Sequence, residues 1–87
     1  MRTNMTFLGL QHRLLDHLRR RVQSGETTER SLARLTGVSQ PHLHNVLKGK
    51  RLLSIDMADE ILLKLQLGIF DLIQPDELIR HHQRKLR

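Results

Sequence analysis

The chain has no cysteine, two prolines and only two aromatic residues, Phe7 and Phe70, among its 87 residues. Without cysteine there is no disulfide framework and no thiolate metal site, which fits a reducing intracellular compartment. Both phenylalanines fall at expected core positions, so little aromatic surface remains for stacking on the bases of a single-stranded RNA. Long apolar runs are missing too. Gln11, His12 and Arg13 interrupt the apolar residues Met5, Phe7, Leu8 and Leu10 well short of a signal-peptide core or a membrane span. These absences predict a soluble, cytoplasmic protein with no membrane partner. A chain of 87 residues builds a modest core, which predicts a single domain over residues 1–87.

What is present in excess is positive charge: fifteen Lys and Arg against nine Asp and Glu, for a formal net charge of +6. Nucleic-acid phosphate is the commonest intracellular counter-anion for such an excess. The charge is also polarised along the chain. Residues 1–24 set Arg2, Arg13, Arg19, Arg20 and Arg21 against Asp16, and residues 25–53 set Arg30, Arg34, Lys48, Lys50 and Arg51 against Glu26 and Glu29. Residues 54–73 reverse the sign with Asp56, Asp59, Glu60 and Asp71 against Lys64, and residues 74–87 are basic again.

Every long segment has helical periodicity and none combines strict alternation with β-branched enrichment, so the fold class is all-α. A first helix over about Phe7 to Gln23 carries Phe7, Leu10, Leu14, Leu15, Leu18 and Val22 on one stripe, with Gly25 as its stop. Thr28 caps a second helix containing Leu32, Ala33 and Leu35, which Gly37 ends. The third opens with Ser39 as cap and Pro41 in its first turn, where a missing N–H costs nothing, and closes at Gly49. Ser54 caps a fourth through about Gln66, with Met57, Ala58, Ile61, Leu62 and Leu65 facing inward and Gly68 as its stop. A short piece follows from Ile69 to Ile73. The sequence Gln74-Pro75-Asp76-Glu77 then starts a basic helix or tail, residues 75–87, bearing Leu78, Ile79 and Leu86.

The third helix poses the functional question. Its only apolar residues are Leu43, Val46 and Leu47, and the remainder displays Gln40, Pro41, His42, His44 and Asn45. Together with the helix before it, it carries Ala33, Gly37, Val38, Leu43 and Val46 at spacings with a physical cause. Two helices crossing steeply at a tight turn need a small residue where they touch, a residue tolerant of positive φ in the turn, and apolar plugs behind. The opposite face of the second helix of such a pair stays free and polar.

With "TERSLARLTGVSQPHLHNVLKGKR" and the closing "LQLGIFDLI", the sequence resembles the helix-turn-helix family of Cro and the phage repressors, often called XRE-type regulators. The resemblance covers about Thr28 to Ile73. It implies a lambda-repressor-like five-helix DNA-binding domain, its core over about 7–73 and its helix-turn-helix motif over 28–48, here with an additional C-terminal basic helix. By position, it implies that Gln40, Pro41, His44 and Asn45 read base edges in the major groove, and that Thr28, Ser39, Lys48, Lys50 and Arg51 approach phosphate. The chemistry is suitable, because Gln and Asn present a donor and an acceptor together to an adenine edge. Two residues depart from the family pattern: Glu29, whose carboxylate repels phosphate where glutamine is common, and Leu47, where glutamate is frequent.

Other chemistries find little support. His42 and His44 are two apart on a helix and point to different faces, His12 and His17 are five apart, and no paired carboxylate converges with them, so no metal is expected. His42 and His44 are instead expected to face DNA or solvent. No Ser-His-Asp order or carboxylate pair implies hydrolytic chemistry, and the reading is a non-enzyme with no cofactor. The expected function is sequence-specific binding of a palindromic double-stranded operator by a homodimeric regulator, a repressor. The alternative is an antitoxin that neutralises a toxin partner and represses their shared operon.

Overall fold

The structure is a computed structural model in which residues 6–73 are described; the expected basic helix over 75–87 lies outside them. Five helices and no strand occupy the described residues: α1 (Phe7–Gln23), α2 (Glu29–Thr36), α3 (Gln40–Leu47), α4 (Ile55–Lys64) and α5 (Ile69–Leu72). Hydroxyl caps start the first four. Thr6, Thr28, Ser39 and Ser54 accept from the N–H of Gly9, Ser31, His42 and Met57 respectively, each satisfying a donor that the helix leaves unpaired.

The core is a leucine ridge on α1, formed by Leu14, Leu15 and Leu18, together with Leu32, Val38, Leu43, Val46, Leu47, Leu53 and Ile61. Leu43, Val46 and Ile61 are fully buried. The turn between α2 and α3 is held from inside. Gly37 takes a left-handed φ of 80° and donates its N–H to the Ala33 carbonyl. The buried Thr36 hydroxyl donates to the Leu32 carbonyl at 2.7 Å and accepts from the Val38 N–H at 3.4 Å. Val38 thus enters the core as the expected plug.

Three polar side chains of α1 extend this scaffold by bonding the main chain of other elements. Arg19 Nε donates to the Leu47 carbonyl at the end of α3 at 2.7 Å, while its Nη1 is held by Asp16 at the same distance. Gln11 grips Leu53 from both sides, donating to its carbonyl at 3.1 Å and accepting from its N–H at 2.8 Å. Arg13 Nη1 donates to the Leu72 carbonyl at 3.4 Å.

The structure corrects several expectations. Phe7 and Phe70 are not core residues: they are 88% and 72% exposed. Phe7 stands in the first turn of α1, beyond the leucine ridge, and Phe70 sits on a four-residue helix too short to turn every apolar side chain inward. Leu35 is likewise exposed, at the edge of the face of α2 that Leu32 buries. Gly68 does not stop α4. Gln66 takes the left-handed conformation there, at φ 55°, and Gly68 caps α5, its N–H bonded to Asp71 Oδ2 at 2.7 Å. Phe7, Leu8, Ile55, Leu62, Ile69 and Leu72 line an open apolar groove between α1, α4 and α5.

Gln11→Ala is expected to leave the Leu53 N–H and carbonyl without their side-chain partner and to cost about 1–3 kcal/mol. Chemical denaturation measures the loss, and the Leu53 amide is expected to exchange its hydrogen faster than amides within α1.

Candidate nucleic-acid interface

α3 divides cleanly into two faces. Leu43, Val46 and Leu47 are packed against the core, while Gln40, Pro41 and His44 are exposed and Asn45 is half-buried. Gln40 and His44 lie one turn apart in one row, and Pro41 and Asn45 in the next, so the four share one surface. The burial of Leu47 accounts for its departure from the polar residue frequent at that position.

The end of α3 is closed by three main-chain bonds. The N–H groups of Lys48, Gly49 and Lys50 donate to the carbonyls of His44, Val46 and Asn45 at 3.0, 3.0 and 2.9 Å. Gly49 makes the reversal possible with φ 81°. Beyond it Lys50 and Arg51 are exposed, as is Lys48 at the cap, and the loop is fastened again at Leu53 by Gln11. The five residues expected near phosphate are therefore distributed over two places. Thr28 and Ser39 are exposed caps at the starts of α2 and α3, and Lys48, Lys50 and Arg51 follow the end of α3. Both cap hydroxyls are engaged locally; Thr28 Oγ1 also donates to Ser31 Oγ at 3.1 Å.

The two histidines of α3 differ in environment. His44 Nδ1 lies 2.9 Å from Glu29 Oε1, a contact between the second turn of α3 and the first turn of α2. Glu29, read from sequence as a liability beside phosphate, is thus occupied by an imidazole. His42 turns the other way, and its Nε2 is enclosed without a hydrogen-bond partner among the described residues, which corrects the expectation that it faces DNA or solvent. Among the described residues no group of three His, Asp or Glu side chains is placed to hold a metal ion.

Sequence reasoning missed the Gln11, Arg19 and Glu29 contacts. Gln11 did carry a signal: it lies four residues before Leu15 and seven before Leu18, on the row of α1 that otherwise enters the core. A polar residue in that row needs a partner. Arg19, four residues after Leu15, continues the same row, and Glu29 departs from the family pattern, but neither feature discloses the partner that the structure shows.

On the side of α1 facing α5, burial, then Arg21 and Arg20, push the His17 pKa below the ordinary histidine value of 6.5, against weaker opposition from Asp71 and Glu26. The unfolded chain therefore binds this proton first. Titration of His17 has no effect on stability well above pH 6.5, and it lowers stability as pH falls through that value toward the folded pKa. Denaturation midpoints measured between roughly pH 7.5 and 5.5 are expected to fall less steeply in His17→Gln than in the unaltered chain.

No curated protein and no solved structure matches the chain. No helix of the described residues is long and apolar enough to cross a membrane. A sequence model of the helix-turn-helix family does match, over residues 18–72, from Leu18 of α1 through α5. That range contains the crossed pair α2 and α3, the left-handed turn at Gly37 and the basic loop, and the chain accordingly belongs to the XRE-type helix-turn-helix family of DNA-binding regulators, the family of Cro and the phage repressors.

Proposed function

We propose that the chain is a transcriptional repressor that binds a palindromic operator as a homodimer and reads it with α3 in the major groove. The observation that carries this reading is the division of α3. Leu43 and Val46, both fully buried, fix the helix against α1, and Gln40, Pro41, His44 and Asn45 are held outward on a rigid element. Gln40 and Asn45 read adenine edges, Pro41 meets a thymine methyl, and His44 contacts a neighbouring base. Lys48, Lys50 and Arg51 grip phosphate on one side of the groove, and the capped starts of α2 and α3, Thr28 and Ser39, direct free N–H groups at phosphate on the other.

Gln40→Ala and Asn45→Ala are each expected to relax preference at one operator base pair, whereas Lys50→Ala and Arg51→Ala weaken all sequences equally. Each lysine or arginine removed lowers the slope of log affinity against log salt by about one unit. Titrations on a selected site and on random DNA measure both effects. Equal losses on the two DNAs for all four variants would refute the assignment.

A second copy is required because one short helix reads few base pairs; two, about 34 Å apart, read a palindrome. The groove formed by Phe7, Leu8, Ile55, Ile69 and Leu72 supports an interface near α5, since apolar surface of this kind is stabilised by a partner. Light scattering at roughly tens of micromolar is expected to show a dimer, and Phe7→Ser with Ile55→Ser a helical monomer. A monomeric unaltered chain would argue against pre-formed dimers. The same surface, open among the described residues, favours the second reading, an antitoxin whose toxin fills the groove. A neighbouring gene whose product is toxic, and neutralised by this chain, would establish it.

A further inference from the structure

The contact between Glu29 and His44 is built across the helix pair. It joins residues fifteen apart in sequence at 2.9 Å, with the Glu29 side chain 28% exposed and that of His44 49% exposed. Glu29 occupies the first turn of α2, where the helix dipole favours a negative group. An ionised carboxylate only accepts hydrogen bonds, so the hydrogen at this contact belongs to His44 Nδ1. In a neutral imidazole one nitrogen carries the hydrogen and the other a lone pair, and the partner of the first decides which is which. With Nδ1 committed to Glu29, Nε2 is left as a bare acceptor. Gln40 and Asn45 cannot make such a choice, because each amide offers a donor and an acceptor.

We propose that Glu29 is a positioning residue that sets the hydrogen-bond polarity of His44, making His44 a reader of an amino-bearing base. The inference rests on the assignment of α3 as the reading helix. In the major groove adenine N6 and cytosine N4 donate, while guanine N7 and O6 and thymine O4 accept. An acceptor at Nε2 therefore selects adenine or cytosine on the strand that His44 faces and disfavours guanine or thymine there. Glu29 contributes to specificity without touching DNA, and its carboxylate leaves the imidazole only an acceptor to offer the base.

The test is selection of bound sites from random DNA at about pH 8, above the ordinary titration range of histidine, for the unaltered chain, Glu29→Gln and Gln40→Ala. The unaltered chain is expected to prefer adenine or cytosine at one position by about threefold to tenfold, the lower end of a base contact's contribution. Glu29→Gln, whose amide can also donate to Nδ1, is expected to lose that preference and keep the others. Its affinity for random DNA stays equal or rises, since a negative charge near phosphate is removed. Nitrogen NMR of the unaltered free chain is expected to show His44 protonated at Nδ1 and bare at Nε2, and a mixture of both forms in Glu29→Gln. An unchanged preference in Glu29→Gln, or a hydrogen on Nε2 in the unaltered chain, overturns the proposal. If Gln40→Ala alters its own position while Glu29→Gln alters none, the pairing alone is wrong. If neither variant changes any preference, the assignment of α3 fails and takes the proposal with it.

Discussion

Leu43 and Val46 of α3 lie in one core with Leu14, Leu15 and Leu18 of α1, and the rest of the molecule is arranged around that contact. Burying a leucine or valine side chain is favourable by about 1.5–3 kcal/mol, and here the same burial also settles a direction. Once one face of an eight-residue helix is enclosed, rotation about its axis would drag Gln40 or Asn45 into the core, where their amides would lack partners. The polar face is therefore held outward by the cost of turning it in.

Much of this organisation was legible in the chain. The bounds of α1, the caps Thr28, Ser39 and Ser54 and the pattern of Ala33, Gly37, Val38, Leu43 and Val46 are local or short-range in origin, so composition and spacing disclosed them, whereas the Thr6 cap went unread. What was not legible depends on which surfaces meet. Phe7 and Phe70 fit an apolar stripe, yet a stripe records which side a residue favours and not whether anything covers it. Gly68 is the expected stop for a helix through about Gln66 because glycine takes positive φ freely, whereas Gln66 itself accepts that conformation two residues earlier. At the interface the outward set on α3 could be listed from sequence, but the link between Glu29 and His44 could not, since fifteen residues and a turn separate them.

Charge plays a different part from burial. The basic residues after α3 carry no role in the core, and exposed pairs such as Arg21 with Glu26 at 3.2 Å add little to stability. In the proposed function their contribution is long-range attraction to phosphate, which brings the protein to DNA without choosing a sequence. In the proposed function, choice belongs to the few groups on α3, whose positions the leucine ridge maintains. Stability, attraction and selection are thus assigned to separate sets of residues.

The side chains of Gln11 and Arg19 bond the backbone of Leu53 and Leu47, and not their side chains. Every amino acid has the carbonyl that Arg19 requires, and every one but proline has the N–H and carbonyl pair that Gln11 requires. Apart from Gly49, whose positive φ makes the reversal, and the buried Leu47 and Leu53, the path from the end of α3 through the basic loop does not depend on which side chains it carries. Outward residues of α3 and charges of the loop can be exchanged while the frame that presents them stays put. If α3 reads the operator as proposed, such a frame lets single substitutions change the sequence recognised with no change of fold.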